Sequence, residues 1–157
     1  MKLSIKKGLS FGSTSGIITT LGLIVGLNSN THSHLVLIGG ILVIAIADAM
    51  SDALGIHISQ EAENKNTKVE VWESTIATFL SKFLFSLTFL IPVLLLPLFT
   101  AIIVCIAWGV SLIIVLSYFL AKQQRINPLG VIFEHLIISA IVIVITHYVG
   151  EWTATFG

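Results

Sequence analysis

Charge is scarce in this chain. Acidic and basic residues number eight each and together make up 10% of 157 residues, gathered in short patches between long apolar runs. No basic stripe with interleaved aromatics is present to neutralise phosphates, which excludes nucleic acid as an expected partner. The single cysteine, Cys105, rules out an intramolecular disulfide framework and, inside an apolar run, reads as a small packing residue. No HExxH, phosphate-binding loop or paired nucleophile and base occurs, so an enzyme is not expected. The basic Met1–Lys7 segment leads into a long apolar run without a small-residue cleavage site before Asn28, and so is not read as a cleavable signal peptide. What fills the chain is hydrocarbon: 55% of residues are hydrophobic and mean hydropathy is +1.01. An all-α integral membrane protein is the expected class.

A spanning helix needs about 20 mostly apolar residues. Five runs qualify, at about 11–27, 35–59, 76–96, 101–121 and 131–149, and together they make a single five-helix membrane domain. Gly12 and Gly16, then Gly22 and Gly26, sit four apart in the first run, a spacing that lets helix backbones approach closely in lipid. In the third run Pro92 is expected to kink the helix and Pro97 to stop it. The sizeable hydrophilic segment, 60–74, reads as a short acidic connector. Lys2, Lys6, Lys7, Lys65, Lys68, Lys122 and Arg125 all fall in the amino terminus and the second and fourth connectors, which places those three on the cytoplasmic side. The remaining basic residue, Lys82, lies inside the third run at about the depth of Asp52 in the second.

The second run carries the main chemical signal. Asp48 and Asp52 are one helical turn apart within apolar sequence, sharing a face with Ser51, Gly55 and Ser59, while Ala45, Ala49 and Ala53 form a neighbouring stripe for packing. A charge at the bilayer centre costs about 3 kcal/mol on insertion scales, so two acids here mark a functional site by default. Carboxylates suit hard to borderline divalent ions. The alternative is structural: an Asp52–Lys82 ion pair, with Asp48 hydrogen-bonded to Ser13, Ser15, Thr19 or Thr20 of the first run. An ion pair alone accounts for one acid, not two. His57 and Glu61, at i, i+4, are either a metal-holding pair or interfacial side chains, and Glu61, Glu63, Glu70 and Glu73 either a capture cluster or a solvated face. Glu134 and His135 either transfer protons or snorkel to the interface.

The segments Gly12-Ser-Thr-Ser-Gly-Ile-Ile-Thr-Thr20 and Ile46-Ala-Asp-Ala-Met-Ser-Asp-Ala-Leu-Gly-Ile-His-Ile-Ser59 resemble the first two helices of the vacuolar iron transporter family. The third run through Pro92 and Pro97, then Asn127-Pro128, Glu134 and Tyr148-Val-Gly150, look like its later elements. The resemblance implies a homodimer of five-helix protomers that exports Fe²⁺ or Mn²⁺ from the cytoplasm in exchange for protons, along a pathway between protomers lined by the first and second helices. Metal would be substrate, and no cofactor is implied. Asp48, Ser51, Gly55 and Ser59 match the family pattern. Ser15 stands where the family has aspartate, Asp52 where it has methionine, and Lys82 where it has an apolar residue. One acid has then moved from the first helix to the second, giving an expected metal set of Asp48, Asp52, Ser15 and Ser51. Glu61, Glu70 and Glu73 stand in for the longer cytoplasmic metal-binding region of better-known members. Protons are the expected counter-ion because a carboxylate in low dielectric can trade a proton for a metal. A prokaryotic cell membrane is the expected location, or a vacuolar membrane in a eukaryote. The competing expectation is a non-transporting membrane scaffold or regulatory module locked by Asp52 and Lys82.

Overall fold

The computed structural model describes residues 2–156. They form five long helices: α1 (Leu3–Thr31), α2 (His34–Ala62), α3 (Lys68–Leu95), α4 (Leu98–Gln124) and α5 (Pro128–Ala154), with no strand among the described residues. Each is long and apolar enough to cross a membrane; four contain one of the expected runs, and α3 covers all of the third except its last residue, Leu96. Large apolar side chains such as Leu84, Leu94, Phe99 and Ile145 stay exposed, and in a bilayer this surface faces acyl chains rather than water. The chain is an all-α membrane protein.

Local chemistry sets the helix ends. α1 stops where His32 turns left-handed, φ 49°, with its N–H on the Asn28 carbonyl. α3 begins with a capping box: the Thr67 hydroxyl accepts from the Glu70 N–H while the Glu70 carboxylate accepts from the Thr67 N–H. Pro97 precedes α4, and Asn127 caps α5 ahead of Pro128 in its first turn. Within α3 the helical ladder is interrupted at Phe89, three residues before Pro92, which lacks the N–H that would continue it. The expected connector at 60–74 is mostly helix: α2 continues to Ala62 and α3 starts at Lys68, so only residues 63–67 lie outside both. The capping box is the physical reason, since it satisfies amide groups that a loop would leave to water.

α1 is the most buried of the five and touches all the others, whereas α5 is the most peripheral. Its Ile17, Leu21 and Ile24 meet Leu37 and Ile41 of α2, Phe89 and Val93 of α3, and Ala101, Cys105 and Ile113 of α4 in one core. Glycine sets the approach of its neighbours. A Cβ at Gly8 would lie 2.3 Å from the Ser74 carbonyl oxygen, at Gly12 2.3 Å from the Thr78 carbonyl oxygen, and at Gly16 3.0 Å from the Lys82 carbonyl oxygen. Thus α1 and α3 pack backbone to backbone over three successive turns, as small residues allow in lipid. On the other side of α1, Gly22 and Gly26 lie against Val142 and Thr146 of α5.

Gly12→Ala is expected to force α1 and α3 apart and to lower unfolding free energy by about 1–3 kcal/mol, the usual effect of overpacking. Gly130→Ala at the start of α5, where an added Cβ meets nothing within 4 Å, should not lower stability and should raise it by at most about 1 kcal/mol through helix propensity. Equilibrium unfolding in detergent micelles reads both.

Candidate functional site

The α1–α3 contact delivers Lys82 to the acids. With Gly16 beneath its backbone, Lys82 leaves α3 fully buried, and its ammonium lies 2.5 Å from Asp48 Oδ2 and 2.6 Å from Asp52 Oδ2. Ser15, next to Gly16 on α1, completes the group: its hydroxyl accepts from Lys82 Nζ at 3.0 Å and donates to Asp52 Oδ2 at 2.6 Å. Two carboxylates, one hydroxyl and one ammonium from three helices therefore share a single seat. Both expected acids and Ser15 are in it. The pairing of Lys82 with Asp52 matches the depth argument, but Lys82 also reaches Asp48, so one lysine accounts for both acids. The serines and threonines of α1 expected to bond Asp48 go elsewhere: Ser13 and Thr19 bond carbonyls one turn back in their own helix, and Thr20 bonds Ser86 of α3 at 3.0 Å.

α2 presents its acids through a local irregularity. Residues Ile44–Asp48 form a π-helical segment, so the widened turn carries Asp48 itself and ends one turn before Asp52. Ala45, Ala49 and Ala53 are buried against the bundle, as the packing stripe required. The opposite side of α2 is bare. Gly39, Val43, Ala47, Ser51, Gly55 and Ser59, successive at four-residue intervals, are all exposed, and Gly55 like Gly39 has open space where a side chain would go. Asp48 and Asp52 sit at the edge of this stripe with 36% and 21% of their side-chain surface uncovered, whereas Lys82 has none. The seat is thus closed from inside the bundle by a tethered cation and open on the outer face of α2.

The glutamates lie apart from this seat, with Glu70 and Glu73 near enough to each other on α3 for their charges to repel. Glu70 serves the capping box, Glu61 lies 3.6 Å from His57, and Glu63 lies 3.6 Å from Lys7. His57 is turned away from the seat, bonded to Thr75 at 2.9 Å and edge-on to Trp72. Glu73 is paired with the Lys2 ammonium and accepts from the Ser4 hydroxyl at 2.6 Å. Among the described residues no group of three or more His, Cys, Asp or Glu is placed to hold a metal. Glu70 and Glu73 belong to the polar opening turns of α3, ahead of its apolar stretch. Hydrogen bonds from Thr67 hold the Glu70 carboxyl below its ordinary pKa, and those from Lys2 and Ser4 do the same for Glu73. Toward the same end of the bundle as the amino terminus, His135 Nδ1 lies 2.8 Å from the Ser117 hydroxyl.

Chemically, the seat offers hard oxygen donors on a face reachable from outside the bundle, with a positive charge that must move for another cation to enter. Lys82→Met would strand two acids in a low-dielectric setting, and a loss of about 3–5 kcal/mol is expected from breaking a buried pair on one side. Adding Asp48→Asn and Asp52→Asn should recover a large part of that loss, and unfolding of the three-site variant checks it. The Glu73 tie carries a pH dependence. A carboxyl whose folded-state pKa is lowered from 4.5 stabilises the fold above that value, and the contribution is lost as pH falls through the lowered value. Protection factors of the amides at residues 6–8, which take out the intrinsic slowing of exchange in acid, are accordingly expected to fall below about pH 4 in the parent and to be low at all pH values in Glu73→Gln.

No family model, curated protein or solved structure matches the chain.

Proposed function

We propose that the chain is a transporter that exports a divalent cation, Fe²⁺ or Mn²⁺, from the cytoplasm in exchange for protons, working as a homodimer around Asp48, Asp52 and Ser15. The observation that carries this reading is that the seat already holds a cation. Lys82 Nζ sits among two carboxylates and a hydroxyl at 2.5–3.0 Å, and these oxygen donors also suit a divalent ion of hard to borderline character. In the proposed cycle the substrate enters from the open face of α2 and takes the carboxylates as Lys82 withdraws on its flexible four-carbon stem. The seat is then never left as two bare acids within the membrane.

The second copy is supported by the same face. Ionised carboxylate edges turned to lipid are unfavourable by several kcal/mol, and the exposed small-residue stripe of α2 is the kind of surface on which a second helix seats closely. A twofold pairing through α2 would cover both acids of each protomer and line one route from two sides. The full burial of Lys82 also favours the scaffold alternative, in which the ion cluster only holds three helices together.

Uptake into sealed proteoliposomes with an imposed pH gradient separates the two. Asp48→Asn and Asp52→Asn are each expected to reduce Mn²⁺ and Fe²⁺ flux by about tenfold or more, equivalent to at least about 1.4 kcal/mol of lost cation stabilisation. Folded parent protein that moves neither ion under any gradient would sink the transport reading and leave the scaffold.

A further inference from the structure

Away from the acid seat, a groove runs between α1 and α4. It consists of two cavities of about 260 and 340 Å³ that share Ser10, Leu120 and Gln123 as walls. The outer cavity opens at the end of the bundle that carries the amino terminus, where Lys6, Lys7, Gln123 and Gln124 line it. The inner cavity continues along Leu9, Phe85, Leu116 and Phe119. Three of its five hydroxyls are already engaged, Ser13 and Ser81 donating to the Leu9 and Ala77 carbonyls at 2.6 and 2.7 Å and Ser117 paired with His135, which leaves Ser10 and Thr14 to meet a guest's polar atoms. Beyond those two hydroxyls, the depth of the groove makes few demands on a guest other than apolar contact. Its mouth is cationic, since no acid lines either cavity. Lys7 lies 3.6 Å from Glu63, while among the described residues no carboxylate comes within 4 Å of the Lys6 ammonium.

We propose that this groove binds an anionic phospholipid, with its phosphate at Lys6 and Lys7 and one acyl chain laid along Leu9, Phe85, Leu116 and Phe119. A basic mouth at headgroup level above an apolar slot between helices has the chemistry of such a site. A zwitterionic lipid would bring an ammonium toward two lysines with no acid lining the groove to receive it, and a free phosphate would leave the apolar slot empty. The site is independent of the transport reading and does not involve Asp48, Asp52 or Lys82.

The test is thermal unfolding of the full chain in detergent, titrated with dioleoyl phosphatidylglycerol, dioleoyl phosphatidylcholine or glycerol 3-phosphate. Phosphatidylglycerol is expected to stabilise saturably and the other two to do so far less. The double variant Lys6→Gln/Lys7→Gln should weaken the midpoint by about 30-fold, roughly fivefold for each lysine. Ser10→Phe, which blocks the shared wall without changing charge, should also weaken it. Lys65→Gln/Lys68→Gln, with equal charge loss at another connector, should stay within about twofold of the parent. Equal stabilisation by phosphatidylcholine or by glycerol 3-phosphate would overturn the proposal. So would equal weakening by the two double variants, which would mean general surface attraction rather than a site.

Discussion

A lysine ammonium enclosed by two aspartates within the membrane-spanning part of the bundle is the constraint on which the rest of the arrangement depends. Each of the three charges alone would be strongly unfavourable there. Together they are tolerable only if three helices hold them within hydrogen-bond reach, so α1, α2 and α3 cannot slide independently. The glycines of α1 meet this requirement. Gly8, Gly12 and Gly16 bring the α3 backbone against α1, and that closeness puts Lys82 beside Ser15 and within reach of α2. Without it the four-carbon lysine stem would end short of the acids or in lipid.

The cluster is satisfied on one side and open on the other. Lys82 is sealed in, whereas Asp48 and Asp52 retain exposed edges beside a row of small residues on α2. A purely structural ion pair has no need of such an opening, because uncovered carboxylate only adds to its unfavourable solvation. The proposed transport gives the opening a purpose: a route by which a second cation meets the same oxygens. The proposed dimer then supplies the missing wall.

Much of this was legible in the residues. Long apolar runs specify the five spans because lipid leaves no other way to satisfy the backbone. The 3.6-residue period placed Asp48 and Asp52 on one face and Ala45, Ala49 and Ala53 on the packing side, and the equal depth of Asp52 and Lys82 pointed to their pairing. The second partnership of Lys82, with Asp48, was not legible, since it depends on an interhelical distance set by glycines far away in sequence. Nor was the π-helical segment that ends at Asp48, which has no composition of its own. Glu70 is a different case: Thr67-x-x-Glu70 carries the capping-box pattern openly, and reading Glu70 with Glu73 as a metal pair passed over it. Glu73 answers to Lys2, 71 residues away, a contact no local pattern reveals.

In the proposed transporter Lys82 occupies a cation seat rather than merely a structural pair. That occupancy is tested most directly by adding Mn²⁺ to purified Lys82→Met, with bound metal followed by electron paramagnetic resonance and stability by thermal unfolding. Mn²⁺ is expected to bind the variant more tightly than the parent, because the tethered competitor is gone, and to restore stability that the substitution removed. Asp48→Asn in the same background should abolish both effects. Folded Lys82→Met that neither binds Mn²⁺ nor gains stability from it would contradict the account.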